Sequence, residues 1–276
     1  MIVDAHVHIL PDRVRDNLAL VASTEPWFAA CHARGERVAS AESLLAAMDD
    51  NGVDRAVCFT WPFTDPALCA EANDWMAGVV RRHPGRLTGF GVIQPLDGGA
   101  AREVQRCAAM GLAGIGEMNA DAQGWGLLDG TADSAIAASV DAGLAWTLHC
   151  SEPVGREYPG RGTVTPERLM EFARRHPDLT LVCAHLGGGL PLYAHIPEVR
   201  SACQGLHFDT AAQPFVYDAS VYAALVAGIG ADRILLGSDH PLLDVPRYLR
   251  ALDDAGIDGP ERALITGGNA QRLLGL

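Results

Sequence analysis

Eight short apolar runs, each followed by a stretch of helical periodicity, recur along this 276-residue chain, and no other feature restricts its fold as much. The runs are Ile2 to Ile9, Val53 to Phe59, Leu87 to Ile93, Leu112 to Met118, Leu144 to Cys150, Leu179 to His185, Leu206 to Thr210 and Ile234 to Asp239. Strands this apolar have both faces covered, as in a parallel sheet crossed over by helices. The helical stretches carry their own punctuation. Ser40 caps a helix reaching about Asn51 with Gly52 just beyond, Asp65-Pro66 opens one that stops at His83-Pro84, and Thr165-Pro166-Glu167 opens one that stops at His176-Pro177. Further helices are expected over Ala100 to Met110, Asp133 to Ala142, Leu190 to Cys203 (broken at Pro197), Ala219 to Ile229, Arg247 to Ala255 and Asn269 to Leu274. Leu10 to Ala39 reads as a long mixed connection folded over the mouth of the later elements. An open doubly wound sheet is the competitor, but no G-x-G-x-x-G follows a strand. The pattern predicts an α/β fold, a single (β/α)8 TIM-barrel domain over residues 1–276.

Composition narrows the function classes. All 21 basic residues are arginine, which excludes Schiff-base catalysis and any metal site bridged by a modified lysine. The formal charge of −13 argues against nucleic acid as a partner, because such enzymes carry a basic footprint. The seven cysteines are scattered without a C-x-x-C pair, the usage of an intracellular protein with reduced thiols. No basic-apolar leader precedes the first strand and no apolar run is long enough for a bilayer, so a cytoplasmic protein without membrane association is expected.

In such barrels the active site forms where strands end and βα loops begin, and the strand ends here are rich in ligands. The first run reads Asp4-Ala5-His6-Val7-His8. Residues two apart on a strand share a face, so His6 and His8 are expected side by side with Asp4 below them, Asp4 hydrogen-bonding within the barrel interior rather than touching metal. Glu117 ends the fourth strand, His149 the fifth, His185 the sixth and Asp239 the eighth. In the fifth, Leu144, Trp146 and Leu148 would meet the helices while Ala145, Thr147 and His149 face inward; in the eighth, Asp239 faces inward and Ser238 outward. For each residue alone a structural hydrogen bond is the better explanation. Four histidines and two carboxylates at one end of one barrel are a metal-site pattern, since burying so many ionisable groups without an ion is costly. His207 and Asp209 could also face the barrel, either packing or supporting; His32, His83, His176 and His195 read as solvated.

D-A-H-V-H, the strand-five histidine, A-H-L-G-G-G on strand six, G-S-D-H-P on strand eight and the closing G-G-N-A-Q-R-L-L-G resemble the amidohydrolase superfamily. The likeness is to its amidohydrolase-related branch, which includes aminocarboxymuconate-semialdehyde decarboxylase, and it covers nearly the whole chain in order. The resemblance implies that His6, His8, His149 and Asp239 bind a divalent metal, zinc being the expected ion. It implies that His185 polarises the substrate or ligates a second metal, and that Asp239 shuttles the proton of the attacking water. Glu117 departs from the decarboxylase pattern: it stands where two-metal members place a bridging group. It is expected to touch metal, with one or two ions left open; the alternative is an ion pair with an arginine inside the barrel.

The leading expectation is therefore a metal-dependent hydrolase of a small ester, lactone or amide, in which a metal lowers the pKa of bound water, Asp239 takes its proton and His185 stabilises an oxyanion. The alternative is non-oxidative decarboxylation of an unsaturated or aromatic carboxylic acid at the same site. A phosphodiesterase is permitted by Glu117 and disfavoured by the acidity; a non-enzymatic binding barrel could dispense with Asp239. Arg156, Tyr158 and Arg161, in the segment after His149, could contact an anionic small-molecule substrate or remain solvated, and His240 beside Asp239 is expected at the substrate. A homo-oligomer is compatible with all of these readings.

Overall fold

The computed structural model describes residues 1–32 and 37–276. Eight parallel strands stand in sequence order: β1 (Val3–His8), β2 (Arg55–Phe59), β3 (Leu87–Gly91), β4 (Gly114–Met118), β5 (Ala145–Leu148), β6 (Leu181–Cys183), β7 (Leu206–Asp209) and β8 (Ile234–Leu235). The ring closes between β8 and β1. Ala5 N–H donates to Leu236 O at 2.7 Å, Asp239 N–H to His6 O at 2.9 Å and His8 N–H to His240 O at 2.7 Å. The fold is the (β/α)8 barrel, and no described helix is long and apolar enough to cross a membrane.

Ser40 and Asp65 cap their helices as expected, whereas Thr165 precedes the helix Pro166–Arg175 without a side-chain cap. The Ser40 side chain accepts from Ser43 N–H, and Ser43 Oγ accepts from Ser40 N–H, a reciprocal cap on the helix Ala41–Asn51. Gly52 ends that helix at φ 68°, a conformation that costs glycine nothing. Asp65 caps Pro66–Arg82 through Ala67 N–H. The broken segment after β6 resolves into a 3-10 turn Leu190–Tyr193 and a helix Pro197–Cys203, as Pro197 dictates.

Two apolar layers result. One lies between strands and helices; its largest member, Trp146, is fully buried and donates Nε1–H to Ser139 Oγ at 2.7 Å. The other fills the barrel: Val3, Ala5, Val57, Phe59, Phe90, Ala145, Val182 and Leu235 pack together over the terminal helix. Phe59 and Phe90 meet edge to face at 5.2 Å, and Phe59 lies 4.9 Å from the His6 ring. Aromatic side chains thus floor the site above them.

The structure corrects two expectations. The ladder between β1 and β2 slips between Asp4 and Val7. Val3 and Ala5 therefore line the interior low in the barrel, whereas His6 and His8 line it at the mouth. Asp4 is not below the histidines; it accepts from Ser238 N–H at 2.9 Å and Ser238 Oγ–H, tying β1 to the chain after β8. The connection Leu10 to Ala39 contains helices Asp12–Arg15, Leu18–Thr24 and Pro26–His32, while its residues 33–36 lie outside the described residues. The buried Glu25 carboxylate anchors these helices by accepting from Thr64 N–H and Oγ1–H.

Candidate metal centre

The six ligand candidates meet at the mouth as two triads. His6, His8 and Asp239 form one, Glu117, His149 and His185 the other, with the donor atoms of each within 4.8 Å of one another. In the first, His6 Nε2 and His8 Nε2 are 3.1 Å apart, and Asp239 Oδ1 is 3.8 and 3.5 Å from them. In the second, Glu117 Oε1 is 2.9 Å from His149 Nδ1 and 3.2 Å from His185 Nε2, and those nitrogens are 3.0 Å apart. Glu117 also joins the triads, because its Oε2 lies 3.5 Å from His8 Nε2 and 3.8 Å from His6 Nε2.

The outer nitrogen of each ring has a partner that can only accept. His6 Nδ1–H donates to Asp209 Oδ2 at 2.8 Å, and His8 Nδ1–H to Thr60 O at 2.9 Å. His149 Nε2–H donates to Gly160 O at 2.9 Å, and His185 Nδ1–H to Ala211 O at 3.1 Å. A neutral imidazole has one N–H, so the other nitrogen of all four rings presents a lone pair inward. Lone pairs about 3 Å apart repel unless a proton or a cation lies between them. Among the described residues Glu117 and Asp239 pair with no arginine, only with these histidines. The donor set fits a divalent ion: imidazole and carboxylate ligands, oriented by hydrogen bonds behind them, with no competing cation.

The protonation equilibria express the same demand for positive charge. Burial would lower His6, but Asp209 and Glu117 outweigh it and raise its pKa to about 10. Burial likewise opposes protonation of His185, and Glu117 and Asp239 raise its pKa to about 9. Glu117 is held well below the usual carboxylate range, since His149 and His6 overcome its desolvation. A divalent ion held there would take the place of those protons.

The backbone is bent to make this arrangement. His185 and Asp239 adopt left-handed conformations at φ 55° and φ 62°, which cost a non-glycine residue on the order of 1–3 kcal/mol each. β6 ends at Cys183 and β8 at Leu235, so both ligands project from turns beyond their strands. Gly237 is a steric requirement: a Cβ there would fall 2.7 Å from His6 Cβ.

The expected substrate contacts are placed differently. Tyr158 donates its hydroxyl to Glu152 Oε2 at 2.9 Å, and Arg156 Nη2–H reaches Phe215 O at 3.5 Å. Arg161 donates from Nε and Nη2 to Glu152 O at 3.3 and 3.2 Å. These residues knit the loop that brings Gly160 O to His149, and the structure does not bring Arg156 or Tyr158 among the inner donors. His240 stands at the rim, 3.5 Å from Asp244, with a pKa lowered by burial. Opposite, Trp61 lies 6.3 Å from the His8 ring and 5.1 Å from His32, which stacks on Phe28 at 4.0 Å. This aromatic wall was not expected, because it combines the β2 end with the helix Pro26–His32.

The amidohydrolase family model matches residues 3–276. The chain belongs to the amidohydrolase family. Solved structures of this fold include 5-carboxyvanillate decarboxylase from Sphingomonas paucimobilis, with 21% identity, TM-score 0.80, and coverage of 100% of this chain and 99% of that one. Another is 2,6-dihydroxybenzoate decarboxylase from Rhizobium, with 19% identity, TM-score 0.73, and coverage of 99% and 98%. A third is dihydroxybenzoic acid decarboxylase from Polaromonas sp. JS666 with bound manganese, with 19% identity, TM-score 0.72, and coverage of 100% and 97%. No curated protein matches this family member by sequence. At such identities the structural likeness shows the fold alone.

Proposed function

We propose that this enzyme of the amidohydrolase superfamily is a metal-dependent, non-oxidative decarboxylase of a small aromatic or unsaturated carboxylic acid. The observation that carries the reading is the aromatic side of the mouth: Trp61, part-exposed, lies 6.3 Å from the His8 ring and is held edge-on by the buried Phe28 and by His32. A planar ring can stack there while its polar substituents face the triads. The related folds named above act on aromatic acids of this kind, which favours the decarboxylase over the hydrolase expected first. Zinc and manganese both suit imidazole–carboxylate donors, and manganese is the ion in the Polaromonas enzyme.

His6, His8 and Asp239 would hold the ion, with Glu117, His149 and His185 completing its shell or holding a second. A divalent ion there supplies Lewis acidity for the negative charge that develops on the substrate. When the bond to CO2 breaks, its electron pair stays on the substrate carbon, which must take up a proton. Where His185 does not ligate an ion, its Nε2, 3.2 Å from Glu117 Oε1, is the donor the geometry favours. The aromatic floor and wall exclude water from the carbon.

Hydrolysis remains the second reading on one observation, the reach of Glu117 into both triads. A carboxylate shared between two ions suits water activation, and Asp239 would then take the proton of the attacking water. Metal-reconstituted protein assayed against hydroxybenzoates, vanillate-type acids and unsaturated diacids, and in parallel against lactones, esters and amides, separates the two. Release of labelled CO2 from an acid is the expected result. Turnover of carbonyl substrates without any CO2 release would overturn the decarboxylase reading.

A further inference from the structure

We propose that Asp209 is the positioning residue of the centre: it sets which nitrogen of His6 faces inward and pins the turn that presents His185. Its carboxylate is fully buried at the end of β7 and each oxygen has a separate task. Oδ2 accepts from His6 Nδ1–H at 2.8 Å. Oδ1 accepts two backbone N–H groups at 3.0 Å, those of His185 and Ala211. The first of these holds His185 in its left-handed conformation at φ 55°. The second holds the residue whose carbonyl accepts His185 Nδ1–H at 3.1 Å. One carboxylate thus orients a ring in each triad, over a sequence separation of 203 residues from His6 and 24 from His185.

An acceptor-only group is essential at this position. Asparagine would turn its oxygen toward the two backbone N–H donors, since its NH2 group cannot satisfy them. Its NH2 would then face His6 Nδ1 and force that nitrogen to accept. The ring proton would move to Nε2, which lies 3.1 Å from His8 Nε2. The two rings would close into a hydrogen bond with each other, and His6 would have no lone pair to offer an ion. The consequence for metal rests on the proposed use of the triads as ligands; the consequence for the ring does not.

The test uses the full chain labelled with 15N-histidine, metal-free and zinc-loaded, as wild type and Asp209→Asn. In the wild type Nδ1 is expected to carry a proton in both states; in the metal-free variant, read at a pH where the ring holds a single proton, Nδ1 carries none. Mn2+ titration should show the site to which His6 contributes weakened about 10- to 100-fold in the variant. A wild-type spectrum with no proton on His6 Nδ1 overturns the proposal, and needs no folded variant. Retention of the Nδ1 proton in Asp209→Asn, or equal weakening of both sites with that proton retained, overturns it as well and leaves Asp209 a structural group only. If the wild type bound no Mn2+ while the proton still moved, the ligand reading would fall and the role of Asp209 toward His6 would stand.

Discussion

Glu117 and His149, from neighbouring strands, meet at 2.9 Å through Oε1 and Nδ1, and the other oxygen of the same carboxylate lies 3.5 Å from His8 on the first strand. A side chain shared in this way makes the two triads one centre. Its chemistry depends on lone pairs that four hydrogen bonds behind the rings keep pointed inward.

Replacing His6 and His8 together by alanine should remove metal from the first triad while the barrel stays folded. Both rings lie at the mouth, above the aromatic floor that supports the interior. Elemental analysis beside far-UV circular dichroism measures both properties. Unchanged metal in a folded double variant would show that the ligands lie elsewhere.

Asp239→Asn should reduce turnover far more than metal content. Asparagine keeps an oxygen for coordination but has no charge to favour protonated His185 in decarboxylation and takes up no proton in hydrolysis. The expected loss is about 10²-fold or more in kcat, read at saturating metal. Near-native kcat would exclude a proton-handling role for Asp239 in either reaction.

Stability should fall on the acid side through His207. This residue sits on β7 two positions before Asp209, its Nδ1 has no hydrogen-bond partner among the described residues, and burial, with Arg233 and Arg272 nearby, lowers its pKa to about 4. The folded state keeps the ring neutral where the unfolded chain, near pH 6.5, accepts a proton. Its contribution is therefore complete above about pH 6.5 and is lost as the pH drops toward 4, by about 2 kcal/mol after allowance for partial exposure. His207→Leu should flatten that part of the curve. Parallel wild-type and variant curves from urea unfolding between pH 7 and 4 would contradict the assignment.

Glu25→Ala should loosen the helices over the mouth. The buried carboxylate accepts from Thr64 N–H and Oγ1–H, and its loss leaves those donors unsatisfied at about 1–3 kcal/mol. A lower urea midpoint together with a raised KM for an aromatic acid is expected, because Phe28 and His32 ride on those helices. An unchanged KM would separate the aromatic wall from substrate binding.

The barrel was legible because its signals are local. Ser40, Gly52, Asp65 and Pro66 act within a few residues of where they stand, and apolar runs covered on both faces identify parallel strands. The six inner donors were legible because each lies at or just after a strand end. Asp209 was visible only as an open possibility, since its partners are His6 and the His185 backbone, and only the closed ring brings these together. The slip in β1 was hidden because a strict two-residue period places Asp4 with the histidines, whereas the bulge places it against Ser238. Arg156 and Tyr158 looked like substrate contacts by residue type, but Glu152 and the Phe215 carbonyl, which engage them, cannot be paired with them from spacing alone.

The most direct test of the centre is an anomalous-difference map from crystals of the manganese-loaded protein. The account predicts a peak at coordination distance, about 2.0–2.3 Å, from His6 Nε2, His8 Nε2 and an Asp239 oxygen, with the Glu117 carboxylate also in direct contact with an ion. A strong peak elsewhere, with these donors closed on one another by hydrogen bonds, would contradict it.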